Sequence, residues 1–146
     1  MVSSDVLNKA RRYCVYQERS QQELREKLYS LGLFKKDVEE SIAMMVTEGY
    51  LNEERFAIAY AGGKFRIKHW GKNKIKQALK LKKVSDYCIR QALKSIADDD
   101  YLKVLNEQME VDKRKTKENN AIKKNYKAEQ QLIARGFEAV EAWKCI

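Results

Sequence analysis

Between Arg55 and Ser85 the chain places ten basic side chains and not one Asp or Glu. The chemistry open to such a stretch is electrostatic, because ammonium and guanidinium groups hold phosphate or carboxylate oxygens without making or breaking a bond. Its densest part reads "FRIKHWGKNKIKQALKLKKV", residues 65–84. At helical spacing Ile75 and Leu79 mark a buried face, which leaves Lys72, Lys76 and Lys80 as an i, i+4, i+8 stripe, widened by Lys74, Lys82 and Lys83. Like charges one turn apart oppose a helix by about 0.2 to 0.5 kcal/mol per pair, so the stripe gains nothing in isolation. A groove lined by phosphate or acidic side chains would reward it; the bland alternative is a solvated face. Arg66 and Lys68 stand beside Trp70, the mixture that stacks a base while holding its phosphate, although a wedge between helices is the commoner use of such a Trp. A second basic block holds Lys113, Arg114, Lys115, Lys123 and Lys124, either as another contact patch or as a solvated helix.

Other chemistries find little footing. Cys14, Cys88 and Cys145 are odd in number, far apart and form no CxxC pair, so neither a disulfide framework nor a zinc site is expected. His69 is the single histidine, which rules out a two-His metal site. Gly62 and Gly63 lack the downstream Gly-Lys-Ser/Thr of a phosphate-cradling loop and point instead to close helix packing or a bend. No catalytic, cofactor or metal site is expected. With 44% apolar and 35% charged residues and a formal charge of +9, the 146-residue chain reads as globular and basic. No apolar run approaches the roughly 18 residues that cross a bilayer, and "MVSSDVLNKARRYC" lacks the apolar stretch of a signal peptide. A cytoplasmic protein without membrane contact is the expectation.

The elements that carry these residues follow from periodicity. There is no proline and no Asn-Gly or Asp-Gly turn, and apolar residues recur at three and four, so the chain should be all-α. One spacing occurs three times: Leu24, Leu28, Leu33, Val38, Ile42; then Ile75, Leu79, Val84, Ile89, Leu93; then Ala128, Leu132, Phe137, Ala142, Ile146. Each copy describes a helical hairpin, with two anchors one turn apart, an apolar plug in the turn and two more anchors. Gly32 and Gly136 stand just before their plugs, where a left-handed residue closes a helix, and Lys83 occupies the equivalent place. "SQQE" at residues 20–23 is a capping box, and Asn52 before Glu53 and Glu54 is a second helix start. A further helix precedes each hairpin: one from Ser4, one from Asn52, and a long polar one from about Asp100 to Lys124. The reading is nine helices in three tandem three-helix modules, 1–50, 51–99 and 100–146, elongated and helix-turn-helix-like, each covering its neighbour's apolar edge. Phe56 and Tyr60 should be core, and Arg55 should pair with an acid of the neighbouring module.

Several of these stretches carry a family resemblance. "RSQQELREKLYSLGL" (19–33), "GYLNEERFAIAYAGGKFRIKHWGKNKIKQAL" (49–79) and "LIARGFEAVEAWKCI" (132–146) resemble the RecX family of bacterial recombination regulators. The most specific match is the middle signature, Leu51, Asn52, Arg55, Phe56 and Ala57, followed by Gly71 and a basic helix; Gly136 and Phe137 belong to the closing Arg-Gly-Phe turn. Two departures are Lys83, where the family usually has Gly, and residues 100–124, which show little of the pattern. The resemblance implies a cytoplasmic monomer of three tandem modules, without catalytic residues or cofactor. It further implies a partner, the RecA filament on DNA, with single- and double-stranded DNA touched directly or through the filament. Such a protein would restrain the filament and suppress ATP hydrolysis, strand exchange and coprotease activity in recombination, repair and the SOS response.

The rival reading is an autonomous nucleic-acid-binding protein of helix-turn-helix type. Base readout favours Arg, Asn or Gln at the exposed start of a recognition helix, whereas this charge is nearly all Lys, which suits phosphate in general.

Overall fold

The computed structural model describes residues 1–139, and among them the chain is all-α with no strand. Eight helices appear in this order: α1 Ser4–Tyr16, α2 Gln21–Ser30, α3 Lys35–Thr47, α4 Glu53–Lys68, α5 Lys72–Leu81, α6 Asp86–Lys94, α7 Asp98–Lys115 and α8 Ala121–Ala134. The ninth expected helix, with Ala142, Cys145 and Ile146, lies outside the described residues.

Local chemistry sets the boundaries. The Ser20 hydroxyl accepts from the Glu23 amide at 3.0 Å while the Glu23 carboxylate accepts from the Ser20 amide at 3.3 Å, so the expected capping box opens α2. Asn52 accepts from the Arg55 amide at 2.8 Å and opens α4. One boundary differs from the expectation. The long polar helix ends at Lys115, and a new one starts at Ala121, capped by the Asn120 side chain, which accepts from the amides of Ile122 and Lys123. The apolar spacing is sparse there, so only the cap marks the break.

The three expected hairpin turns share one hydrogen-bond pattern. The plug amides of Leu33, Val84 and Phe137 donate to the carbonyls of Leu28, Leu79 and Leu132, at 3.4, 3.2 and 3.1 Å. The residue before each plug is left-handed: Gly32 at φ 90°, Lys83 at φ 63° and Gly136 at φ 98°. Lys83 therefore keeps the turn that glycine makes in the other two copies, at a backbone cost on the order of 1 kcal/mol.

Among the described residues the buried apolar side chains gather in two clusters. The first holds Ala10, Cys14, Leu24, Leu28, Val38, Ile42, Met45 and Leu51 from α1 to α3 and the following turn. The second runs continuously from Phe56 to Phe137 and is shared by α4 to α8. Its spine is aromatic, with Phe65, Tyr101 and Phe137 in a tilted row at centroid spacings of 5.7 and 5.3 Å. Ion pairs cross between the clusters, Arg55 with Glu18 at 2.5 Å and Lys82 with Glu23 at 3.8 Å.

Candidate polyanion-binding surface

The basic helix α5 is fixed at its start by backbone. Gly71 caps it without a side-chain bond, and the Gly71 amide donates to the Arg135 carbonyl at 2.8 Å. Two residues on, the Asn73 amide donates to the Gly136 carbonyl at 2.9 Å, and the Lys72 amide donates to the Tyr101 hydroxyl at 3.0 Å. The approach leaves no room for a side chain: a Cβ on Gly71 would fall 2.2 Å from the Phe137 nitrogen, and one on Gly136 would fall 2.4 Å from the Lys74 Cβ. Ile75 and Leu79 are fully buried below, so the exposed face of α5 is held in one orientation.

That face presents Lys76 and Lys80, both exposed, and beyond its end come Leu81, which is 84% exposed, and the exposed turn residue Lys83. The three cations stand at i, i+4 and i+7, with no ion pair among the described residues using any of them. The other members of the expected stripe turn inward. Lys72 lies 3.9 Å from Asp98 and 4.7 Å from the Tyr101 ring centre. Lys82 reaches Glu23 and the Tyr60 ring, while Lys74 sits 4.6 Å above the Trp70 ring. Trp70 is half-buried against the second cluster and carries Lys64 at 5.0 Å as well, so the wedge reading describes it and its cationic neighbours are Lys64 and Lys74 rather than Arg66 and Lys68.

Arg66 and Lys68 are exposed on the last turn of α4. The Arg66 guanidinium folds over Gly62, so close that a Cβ there would come within 2.8 Å of it, and it lines a groove of about 500 Å³ with Phe65, Ile96, Asp100 and Lys103. Gly62 therefore leaves room for a side chain of its own helix, which is neither the close helix packing nor the bend that the sequence suggested. His69 ends α4 in the left-handed conformation, φ 56°, which is a backbone role.

The second basic block divides across the α7 to α8 break. Lys113 pairs with Glu110 at 3.7 Å, while Arg114 and Lys115 are exposed on the last turn of α7, where cations favour the helix dipole. Lys123, exposed, and Lys124, half-buried, stand in the first turn of α8, where the dipole opposes them. Arg135 anchors this part by pairing with the buried Asp112 and donating to Gln108 at 3.0 Å.

The signature residues are structural in this arrangement. Leu51, Phe56, Ala57 and Phe137 are buried, and Asn52 is a cap. Arg55 meets Glu18 in the loop between α1 and α2, an acid of the neighbouring module as expected, and also donates to the Gly49 carbonyl at 3.0 Å. Phe56 is core as expected, whereas Tyr60, its ring 5.7 Å from that of Phe56, is only partly buried against the second cluster. Among the described residues no group of three or more His, Cys, Asp or Glu side chains could hold a metal ion, and no helix is long and apolar enough to cross a membrane.

Residues 52–93, which span α4 to α6, match the family model described as RecX, second three-helix domain. A curated protein from Bacillus licheniformis named Regulatory protein RecX is 28% identical over 129 residues, covering 88% of this chain and 49% of the relative. One of the same name from Clostridium perfringens is 29% identical over 121 residues, covering 82% of this chain and 56% of the relative. The chain thus spans about half the length of the curated relatives it matches. In fold it is similar to the crystal structure of RecX from Lactobacillus salivarius, with a TM-score of 0.87 at 23% identity over 97% of this chain and 92% of that one. A second crystal structure, of regulatory protein RecX, superposes with a TM-score of 0.84 at 18% identity over 97% of this chain and 72% of the other. The signature at the start of α4, the module matched from Asn52 onward and the shared fold agree in making this chain similar, in sequence and in architecture, to RecX regulatory proteins.

Proposed function

We propose that this protein is a non-enzymatic regulator of the RecA–DNA filament, seated in the filament's anionic groove by the exposed face of α5. Bound there, it restrains the filament and lowers RecA's ATP hydrolysis, strand exchange and coprotease activity. The observation that carries the reading is a helix clamped by backbone contacts at Gly71 and Gly136 whose outward cations, Lys76 and Lys80, with Lys83 in the turn after it, have no ion-pair partner among the described residues. A rigid unpaired row of this kind matches a periodic row of phosphates or carboxylates, and lysine suits attraction without base readout. Arg66, Lys68 and the exposed cations Arg114, Lys115 and Lys123 supply further contacts.

The test is DNA-dependent ATP hydrolysis by RecA at several salt concentrations, with wild type and the Lys76→Glu/Lys80→Glu variant. Wild-type inhibition should weaken as salt rises, because each neutralised phosphate releases counterions. The variant should inhibit poorly even at low salt and keep the wild-type circular dichroism. A folded variant that inhibits as well as wild type would return α5 to a solvated face. Titration against naked DNA and against a RecA filament on the same DNA separates this function from autonomous nucleic-acid binding.

A further inference from the structure

From Val6 to Glu54 the sequence holds eight basic and nine acidic residues, and several of the acids are tied up in ion pairs. Glu48 pairs with Arg11 at 2.9 Å, Glu39 with Arg25 at 2.8 Å, Glu18 with Arg55 at 2.5 Å and Asp37 with the terminal amine at 3.8 Å. Left over is a cleft of about 430 Å³ between α1 and the end of α2, within the size range of ligand sites. Lys9, Arg12, Arg19 and Lys27 line it together with Tyr13 and Tyr16, and no carboxylate does. None of the ion pairs among the described residues uses Lys9, Arg12 or Lys27.

The cleft is built rather than incidental. Lys9, Arg12, Tyr13 and Tyr16 share one face of α1 by helical spacing. Arg19 is held flat on the Tyr13 ring, 3.7 Å from its centre, by donating from Nε to the Tyr13 carbonyl at 2.9 Å, with Glu23 beside it at 3.9 Å. The Lys27 ammonium lies 5.6 Å from the same ring. Tyr16, one turn beyond Tyr13, is 82% exposed. An aromatic ring open to solvent, with Arg19 5.8 Å from its centre and the unpaired Lys9 and Arg12 on the same helix face, matches the platform on which an unpaired base stacks while its phosphates are held.

We propose that this cleft binds single-stranded nucleic acid, one base stacked on Tyr16 and the adjoining phosphates on Lys9, Arg12 and Lys27. A duplex offers no free base face at its side, and an acidic peptide would use the cations without needing the ring. The site deepens the proposed function and rests on it for its setting, while its chemistry stands on the first three helices alone.

The experiment is fluorescence anisotropy with a fluorescein-labelled oligothymidylate and no RecA present. Tyr16→Ala should weaken binding by about five- to a hundredfold, the equivalent of one stacked base, whereas Tyr16→Phe keeps the ring and should bind as wild type. Arg12→Glu should weaken binding and reduce the salt slope by about one. Circular dichroism verifies the fold, which substitution of so exposed a ring leaves intact. Loss in the Lys76→Glu/Lys80→Glu variant with none in Tyr16→Ala would sink this site and leave the α5 reading; the reverse supports this site, with α5 judged by RecA ATP hydrolysis. A folded Tyr16→Ala protein that binds the oligonucleotide as tightly as wild type overturns the proposal. So does displacement by polyglutamate that Arg12→Glu abolishes and Tyr16→Ala does not affect, since that marks an acidic-protein site.

Discussion

Lys83 keeps a left-handed backbone, φ 63°, that its counterparts Gly32 and Gly136 reach without a Cβ penalty. Lys83→Gly should therefore stabilise the protein by up to about 1 kcal/mol in urea unfolding, while removing one cation from the turn after α5. Two other glycines separate close approach from mere helix interior. Gly71→Ala drives a methyl into the Phe137 and Gly136 backbone and should cost on the order of 1 to 3 kcal/mol, as overpacking does. Gly63→Ala meets nothing within 4 Å in the middle of α4 and should gain about 0.5 to 1 kcal/mol, both read from urea midpoints. The sequence made the place of Lys83 legible through the threefold spacing. It gave no sign that Gly71 faces Gly136, because that contact joins residues far apart in the chain.

Among the elements, the equivalent anchors Leu28, Leu79 and Leu132 are each fully buried. Truncating any one to Ala should cost about 2 to 5 kcal/mol, with an unchanged melting temperature counting against the shared register. The apolar period carried this register because burial is what it encodes. The charged stripe was legible only in part. Lys76 and Lys80 face outward, but Lys72 is drawn to Asp98 and Tyr101 on α7, partners that no local pattern announces. The break between α7 and α8 was missed for a related reason, since a polar helix offers little apolar period to interrupt. Ion pairs also tie α3 to its neighbours. Hydrogen bonds from Arg25 and Arg11 hold the Glu39 and Glu48 carboxyls below their ordinary value of 4.5. Groups depressed in the folded state contribute stability that is present above the unfolded value and lost as pH falls through the folded one. Urea midpoints should accordingly decline as pH drops below about 4.5, slightly, because both carboxyls are near solvent. Glu39→Gln together with Glu48→Gln should flatten that decline.

At the scale of the molecule, two apolar clusters bridged by Arg55 with Glu18 and Lys82 with Glu23 make a chain with one continuous body over α4 to α8 and a smaller one over α1 to α3. The smaller unit, near the lower size limit for independent folding, should open at lower urea. Mass mapping of thiol labelling checks this, with Cys14 buried in the first cluster and Cys88 in the second; coincident exposure of the two would mean a single cooperative body. The cationic cleft beside Tyr16 also belongs to this scale. Adding charges along residues 6–54 hides it, since sorting those charges onto separate faces is the work of three packed helices.

The contact between Gly71 and Gly136 has a consequence for descent. Each position forbids a side chain because of the other's backbone neighbourhood, so neither can drift first and be rescued by change at its counterpart, which has nothing left to shed. Lineages that keep this docking should hold both glycines. Those that lose one should have rebuilt the whole junction, with α5 and its row of lysines aimed in a different direction.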